Sequence, residues 1–423
     1  MYQFQIQWKR NRLLISRSLT LISGFCINLI IANFFLKNFG ETQFAIYVFI
    51  SSLPSLLNFL DFGLGTAAYN SQVDGTKIPH SYNEKNQVEL SSIYLLSLII
   101  IIFSLALIGA VDLFFPNLFN VALFSKSGNN GILMIGFLLI CFAIPFTISY
   151  KVLQASNRNL ELILLQGLIP CLSLIIVYVG YVSGAEHISL LANPVALLVI
   201  AVWAFIRSKF TEKIVINLII LNLKSRISAL IHHGFLSLTA LVIINILLFL
   251  PRYILAQNGD DVELVHLSFM LMFLVSAQSL ISADAQAQVT LIRISNEFEQ
   301  AVKIRKATIK CLILALILSL GMFLASLLGE KLDIRILTRQ EALFASFLLI
   351  VWALQIITSS VNSQTKNIPF FIFIYAFSLV FAIMVSSFIQ IVTFSQIVLL
   401  VIAPTSLMAS IGIILKFKFK IRK

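Results

Sequence analysis

Long apolar stretches follow one another from one end of this chain to the other, and only short polar segments separate them. Each stretch approaches the roughly 20 residues that a helix needs to cross the hydrocarbon core of a bilayer. Only 11% of the 423 residues are charged, whereas about 25% are charged in an average soluble domain. The pattern therefore predicts an all-α polytopic membrane protein and argues against a soluble globular domain.

The apolar runs predict twelve transmembrane helices, at 13–36, 42–66, 90–115, 131–153, 160–182, 188–207, 230–252, 262–288, 308–329, 341–361, 368–388 and 392–415. Lys and Arg residues concentrate in the cytoplasmic loops of membrane proteins. With the N-terminus placed inside, 24 of the 30 Lys and Arg residues fall in cytoplasmic segments. This asymmetry predicts cytoplasmic N- and C-termini, and one missed or additional span would remove it.

Weak internal matches connect each half of the chain to the other, always six spans apart. Asp61 in span 2 corresponds to Asp284 in span 8, and Pro194 in span 6 corresponds to Pro404 in span 12. Because six is an even number, both halves enter the membrane in the same sense. The matches predict two six-helix bundles related by a parallel repeat, with a pseudo-twofold axis along the membrane normal.

The predicted joint between the bundles contains an apolar run at 214–223 that is too short for a span and is flanked by basic residues. Such a segment is typical of a helix that lies in the membrane interface. The predicted domains are an N-terminal bundle at 1–207, a cytoplasmic interfacial linker at 208–229 and a C-terminal bundle at 230–423.

The end of span 2 carries a polar motif, in which Asp61 is followed closely by Gly63 and Gly65. An unpaired Asp deep in lipid costs roughly 3 kcal/mol or more, so Asp61 either faces protein or lies near the headgroups. The two glycines allow close helix packing. The segment 60–67, LDFGLGTA, resembles the "DFGLG" end of the second helix in Wzx-type O-antigen and polysaccharide flippases, which belong to the multidrug/oligosaccharidyl-lipid/polysaccharide exporter superfamily.

This resemblance implies two bundles that face each other across a central cavity. It also implies a flippase that moves an undecaprenyl-pyrophosphate-linked O-antigen repeat unit from the cytoplasmic to the periplasmic leaflet by alternating access. The expected location is the bacterial inner membrane. The lipid-linked oligosaccharide and the membrane lipids are the implied partners, and a polysaccharide polymerase and a chain-length regulator are further candidates.

Ionisable and amide side chains at membrane depth are the candidate site residues, because such groups often mark transport pathways. Arg17 and Arg252 are candidate phosphate partners, and Asp61 and Asp284 are candidates for proton or sodium exchange. Snorkelling to an interface is an equally good explanation for the two arginines. Hydrogen bonding between helices is the alternative for the amides. The candidate cavity residues are Arg17, Asn28, Asn33, Asp61, Asn245, Arg252, Gln278 and Asp284.

The sequence contains no constellation typical of an enzyme. It lacks a Walker loop, and we expect no cofactor and no metal site. The four cysteines lie in apolar runs without a CxxC pair, so we expect no disulfide. A proton- or sodium-coupled multidrug antiporter of the same superfamily is the alternative function. A site for cationic drugs should contain more buried carboxylates than the few acids at mid-membrane positions here.

Overall fold

The computed structural model describes residues 2–56, 91, 93–99, 101–102, 104–106, 109–110, 113, 122–126, 128, 130–156, 158–208, 249–257, 261–293, 297–332, 337–362, 368–388 and 393–407. Within these residues, all regular secondary structure is helical. The prediction of an all-α chain is therefore confirmed for this part of the protein.

The main helices are α1 (Tyr2–Asn38), α2 (Glu41–Ser52), α3 (Ala122–Lys126), α4 (Asn130–Ala155), α5 (Asn159–Val182), α6 (Glu186–Leu190), α7 (Ala192–Arg207), α8 (Asp261–Arg293), α9 (Glu297–Leu332), α10 (Arg339–Asn362), α11 (Ile368–Phe388) and α12 (Phe394–Ile397). Residues 93–99 and 249–257 are also helical. Within the described residues, five helical stretches are long and apolar enough to cross a membrane, namely Ile15–Asn38, Gly131–Gln154, Leu160–Val182, Asp261–Gln278 and Val302–Lys331.

The helices α4, α5 and α11 agree closely with the predicted spans 4, 5 and 11. By contrast, α1 and α9 begin about three turns before the predicted spans, because charged residues continue the helix beyond the apolar run. The count of twelve spans, the internal repeat and the interfacial linker stay predictions, since 57–90 and 209–248 lie outside the described residues.

The chain divides into two compact units. The first unit combines Met1–Ala45 with Ile246–Lys423, and the second is Ile46–Asn245. The first 45 residues therefore pack with the C-terminal part of the chain. The predicted domain boundaries at 208–229 fall outside the described residues and stay a prediction.

In the first unit, α8, α10 and α12 begin at the same end. Near the start of α8, Glu263 accepts a hydrogen bond from the N–H of Phe394, which begins α12. Glu341 near the start of α10 bonds to His266, in the second turn of α8. Helix α1 runs antiparallel to α8, because Phe25 packs on Phe273 while the residues just beyond α1 reach the start of α8. Helix α9 lies against both α8 and α10.

In the second unit, α7 packs against α4 and α5. Leu153, Leu165, Ile200 and Ala204 form a buried apolar cluster where these three helices meet. A cluster of ion pairs, here called the ion-pair clamp, lies at one end of these three helices. Glu161 accepts hydrogen bonds from Arg158 at 2.7 Å and from Arg207 at 2.8 Å, and Arg158 also donates to the carbonyl oxygen of Arg207 at 2.8 Å. The clamp joins the α4–α5 turn to the last residue of α7.

Helix α2 ends in a 3-10 turn, Leu53–Leu56, that contains Pro54. Proline has no N–H and interrupts the hydrogen-bond ladder of a helix. Backbone carbonyls near such a break need other donors, because lipid provides none. The side-chain amide of Asn193, at the start of α7, donates to the carbonyl oxygen of Ser51 at 3.0 Å. A side chain from a neighbouring helix therefore completes the broken ladder.

A second irregular turn follows α12. Val398–Ile402 form a π turn, closed by the N–H of Ala403 donating to the carbonyl oxygen of Val398, and Pro404 comes directly afterwards. Beyond the π turn, the hydroxyl of Ser406 accepts a hydrogen bond from the indole N–H of Trp352 in α10, at 3.2 Å, and both side chains are buried.

Replacing Asn193 by leucine should leave the carbonyl oxygen of Ser51 without this donor inside the second unit. An unpaired buried polar group costs about 1–3 kcal/mol, so we expect a lower thermal midpoint for the purified protein in detergent. Asn38→Leu is the control, because Asn38 is exposed and bonds only to the preceding turn of its own helix. An equal loss in both variants would contradict the assigned role of Asn193.

Gly180 in α5 allows the loop that follows α5 to fold back closely. A Cβ atom at position 180 would lie 2.8 Å from the backbone nitrogen of Ser189, and the hydroxyl of Ser189 donates to the carbonyl oxygen of Val177 at 3.0 Å.

Gly180→Ala should therefore destabilise the protein by about 1–3 kcal/mol through overpacking. In Gly131→Ala, the new methyl group has nothing within 4 Å, so this control should be neutral or slightly stabilising. Thermal midpoints of the two variants in detergent provide the comparison, and equal midpoints would refute the close approach.

Candidate functional site

An apolar groove lies within the first unit, between α1, α8 and α9. Its volume is ≈ 270 Å³, and it is partly open. Phe25 of α1 and Phe273 of α8 form one wall, with their rings edge to face and their centroids 4.5 Å apart. Three small residues, Ala277, Gly321 and Ala325, leave the space that larger side chains would fill. A Cβ at Gly321 would have no atom within 4 Å, so the groove is open beside this residue.

The chemistry of the groove suits hydrocarbon. Ser276 is the polar side chain in its lining, and the other lining side chains are apolar. Pockets that enclose whole drug-sized ligands usually have about 300–1,000 Å³, so this groove is small for such a ligand. Sugar hydroxyls would find almost no hydrogen-bond partners in it. A segment of a hydrocarbon chain fits both the size and the lining.

Cationic residues lie towards one end of the groove. Arg17 precedes Phe25 by eight residues, which corresponds to about 12 Å along a helix, and its side chain is half-buried. Lys310 precedes the lining residue Leu318 by eight residues and is exposed. Because α1 and α9 both run antiparallel to α8, these two cations lie towards the same end. The described start of α9 adds three further exposed cations, Lys303, Arg305 and Lys306.

The same comparison of helix positions places Asp284 near this end. Ile281 follows Phe273 by eight residues in α8, so it lies at about the level of Arg17 in antiparallel α1. Position 284 is less than one turn further along α8. The first unit thus brings the predicted cation Arg17 and the predicted acid Asp284 to similar depths. The side chain of Asp284 lies outside the described part of the structure.

Arg252 is a buried cation of a different kind. It lies in the helical stretch 249–257, and its Nε atom is buried without a hydrogen-bond partner among the described residues. A buried charge without a partner is costly unless it interacts with an opposite charge or a ligand. Guanidinium groups bind phosphate well because their N–H donors form a planar fork. Arg252 therefore has the chemistry of an anion-binding residue.

Acidic side chains bind the helix starts at the end of the first unit where α8, α10 and α12 begin. Asp261 accepts a hydrogen bond from the hydroxyl of Thr42, and Glu263 accepts one from the N–H of Phe394 at 2.5 Å. Carboxylates are stabilised at helix N-termini by the free N–H groups there. These contacts tie the end of the α1–α2 connection and the start of α12 to α8.

Glu341 is the most deeply buried of these acids, with 0% of its side chain exposed. Its Oε1 lies 2.7 Å from Nδ1 of His266 in α8. Its Oε2 accepts the N–H of Thr338 at 2.7 Å, while the hydroxyl of Thr338 accepts the N–H of Glu341 at 3.2 Å. These two reciprocal hydrogen bonds between Thr338 and Glu341 form a capping box. One carboxylate therefore caps α10 and also connects α10 to α8.

The structure describes three of the remaining predicted site residues. Asn28 is exposed on α1, and the side chain of Asn33 donates to the carbonyl oxygen of Leu29 at 2.9 Å. Gln278 is partly buried beside the lining residue Ala277. Their roles in transport stay predictions. Asp61, Asn245, Gly63 and Gly65 lie outside the described residues.

The sequence analysis missed Glu341 and His266, which stand at the ends of predicted spans. Neither residue is among the candidate site residues predicted from the sequence. The pattern Thr338-x-x-Glu341 was a usable signal, because it is typical of a capping box. The contact between Glu341 and His266 could not be recognised in the sequence, because 75 positions separate the two residues along the chain. Among the described residues, no group of three His, Cys, Asp or Glu residues is placed to hold a metal ion.

Comparisons with solved structures identify proteins of similar fold. An inward-facing multidrug resistance MATE family transporter of the MOP superfamily matches with a TM-score of 0.67 at 14% identity, over 97% of this chain and 98% of that chain. The lipid II flippase MurJ, in an inward closed conformation, matches with a TM-score of 0.65 at 18% identity, over 97% and 88% of the respective chains. An outward-facing MATE family transporter matches with a TM-score of 0.59 at 10% identity, over 98% and 96%.

No protein-family model matches the chain, and no curated protein matches it. The similarity to MATE transporters and MurJ extends over nearly the whole chain, although the sequences differ at more than four residues in five. The chain therefore has the fold that MATE family transporters share with the lipid II flippase MurJ.

Proposed function

We propose that this protein is a flippase for a lipid-linked anionic oligosaccharide. The proposed substrate is an undecaprenyl-pyrophosphate-linked O-antigen repeat unit, which moves from the cytoplasmic to the periplasmic leaflet of the bacterial inner membrane by alternating access. The main observation in support of this proposal is the apolar groove between α1, α8 and α9, which has cations towards one of its ends. This arrangement matches an amphipathic ligand with an apolar chain and an anionic head.

The physical problem of such a substrate lies in its headgroup. A pyrophosphate and its sugars lose their water on entering hydrocarbon, and the cost is prohibitive without replacement partners. Arg17 and Arg252 are the proposed partners for the phosphates, since guanidinium groups form paired hydrogen bonds with phosphate oxygens. They lie towards opposite ends of the first unit, so each would bind the phosphates at a different stage of transport. The hydrocarbon chain has no such cost and can stay in lipid or in the groove. An inside-negative potential favours outward movement of the anion by about 2.3 kcal/mol per charge per 100 mV.

The fold supports this proposal in general terms. MurJ is named as a lipid II flippase, so a similar fold carries a lipid substrate in at least one relative. Cytoplasmic termini, two six-helix bundles at 1–207 and 230–423, and a linker at 208–229 belong to the same proposal. A polysaccharide polymerase and a chain-length regulator remain the proposed protein partners.

A multidrug antiporter is the second candidate, because several solved structures of similar fold are multidrug resistance transporters. A binding site for cationic drugs requires negative charge near the ligand. This end of the groove instead contains more Lys and Arg residues than acids, although Asp284, Glu297 and Glu299 also lie towards it. The charge balance of the described residues favours an anionic substrate.

The flippase proposal predicts transport of a lipid-linked oligosaccharide by the purified protein in vesicles. A fluorophore on the sugar, bleached by an impermeant reductant, would report the leaflet in which each molecule lies. Wild-type protein should move labelled molecules between leaflets. Movement of cationic dyes with no movement of the labelled lipid would favour the antiporter instead.

Gly321→Leu should fill the groove and slow transport of the lipid-linked substrate at least several-fold, because the chain segment loses its place beside α9. The same leucine at Gly131, which also has no atom within 4 Å of its Cβ position, is the matched control and should keep the wild-type rate. Initial rates in the bleaching assay provide the comparison. Equal rates for Gly321→Leu and wild type would exclude the groove from transport.

Arg252→Met should separate stability from anion binding. Because Nε of Arg252 is buried without a hydrogen-bond partner among the described residues, removing the guanidinium group should stabilise the protein by about 1–3 kcal/mol or leave its stability unchanged. The variant should also lose the rise in thermal midpoint that inorganic pyrophosphate produces in the wild-type protein by binding the folded state. Lys151→Met, which changes an exposed cation of α4 in the second unit, should keep this rise. A pyrophosphate response that persists in Arg252→Met would exclude Arg252 as a phosphate partner.

A further inference from the structure

The bond between Glu341 and His266 does more than cap a helix. A capping box uses one carboxylate oxygen, and here Oε2 serves that purpose by accepting the N–H of Thr338. The other oxygen, Oε1, extends to Nδ1 of His266 on a different helix, at 2.7 Å. Helix capping therefore accounts for the contact of Oε2 and does not account for the pairing of Oε1 with a titratable imidazole.

The two partners differ in their access to solvent. The side chain of Glu341 is 0% exposed, and that of His266 is 30% exposed. The imidazole ring stacks on Phe394, at a centroid distance of 6.1 Å. The imidazole ring is therefore open to the surface of the protein, close to the start of α8, while the carboxylate is shielded. Imidazole is the side chain whose ordinary titration falls between pH 5 and 8.

The charged residues around the pair lie at helix termini on the same side of the first unit. Asp261 is bonded to Thr42, Glu263 is bonded to the N–H of Phe394, and Arg339 of α10 is paired with Glu330 of α9 at 2.8 Å. The described parts of α11 and α12 contain no charged residue. Among the described residues, the charged groups at this end, with the pair itself, are Lys37, Glu41, Arg252, Asp261, Glu263, His266, Glu330, Lys331, Arg339 and Glu341.

The charge of the pair depends on one proton. With a neutral imidazole, the pair carries one net negative charge in a buried place, where ionised groups are expensive. One proton from water, taken up by the imidazole, makes the pair neutral overall and strengthens its hydrogen bond by adding charge to the donor. Releasing this proton to water reverses both effects. The pair joins α8 to α10, so the proton also changes how firmly these helices are held together.

We propose that His266 and Glu341 form the proton-binding site of this transporter, which exchanges protons with the side of the membrane at which α8 and α10 begin. The proposal rests on the proposed function, because it makes the proton the ion that is exchanged for the lipid-linked substrate. It assigns this exchange to a place other than the acids Asp61 and Asp284 of the sequence analysis.

The first test measures the leaflet distribution of the labelled lipid-linked substrate at steady state, in vesicles with the protein inserted in one orientation. If one proton enters for each substrate that leaves, one pH unit across the membrane should change this distribution about tenfold. His266→Asn keeps a side-chain donor near the position of Nδ1 but cannot titrate, and Glu341→Gln removes the carboxylate. Both variants should abolish the response to the pH gradient, whatever their rates.

Two control variants separate proton binding from other roles. Thr338→Ala removes the capping hydroxyl and leaves the pair, so it should lower the thermal midpoint and keep the tenfold response. His187→Asn removes an exposed histidine of α6 in the second unit and should also keep this response. A full gradient response in both His266→Asn and Glu341→Gln, or no response in a wild-type protein that moves the lipid, would overturn the proposal.

The second test does not need the substrate. In protein with ¹⁵N-labelled histidine, the NMR signal of His266 is assigned by its loss in His266→Asn. This signal should change with pH as expected for the binding of one proton, and Glu341→Gln should alter this dependence on pH. A signal that does not change with pH, or that ignores Glu341→Gln, would refute the site. If the wild-type protein fails to move the lipid, the proposed function fails, and the NMR titration still decides whether the pair binds a proton.

Discussion

Backbone hydrogen bonding in the absence of water is the constraint on which this structure depends. A chain that crosses lipid must pair its own N–H and C=O groups, and a helix is the way to do this within one segment. Where a helix is interrupted or begins, other groups must complete the pairing. Asn193 does so at the break before Pro54, and Glu263 and Glu341 do so at the starts of α12 and α10.

The same constraint explains how much of the fold could be predicted. Helices such as α4, α5 and α11 are visible in the sequence because their length and apolar composition match a bilayer. The early starts of α1 and α9 were missed, because hydropathy measures where a helix leaves lipid and not where its hydrogen bonding ends. The packing of the first 45 residues with the C-terminal part of the chain also had no signal, because no local pattern encodes the partner of a helix.

The candidate site could be predicted only in part, and for a similar reason. Arg17, Arg252 and Asp284 were selected as candidates because a charge in an apolar run is conspicuous in one dimension, and their roles stay predictions. The groove was not found, because Ala277, Gly321 and Ala325 are unremarkable in the sequence and produce a space only when α8 and α9 lie side by side. Glu341 and His266 were missed because each looked like an ordinary residue at a helix end. Charges can be recognised one by one, whereas cavities and pairs depend on tertiary packing.

The π turn at Val398–Ile402 has a consequence for the whole segment that follows it. A π turn contains one residue more than an α-helical turn, and one residue corresponds to about 100° of rotation around a helix axis. The side chains after Ile402 therefore point about 100° away from the directions that an uninterrupted helix would give them. The meeting of Ser406 with Trp352 depends on this offset as much as on the chemistry of the two residues. In this segment, the number of residues is itself structural information, and a single deletion would turn the end of the helix towards different neighbours without changing any side chain.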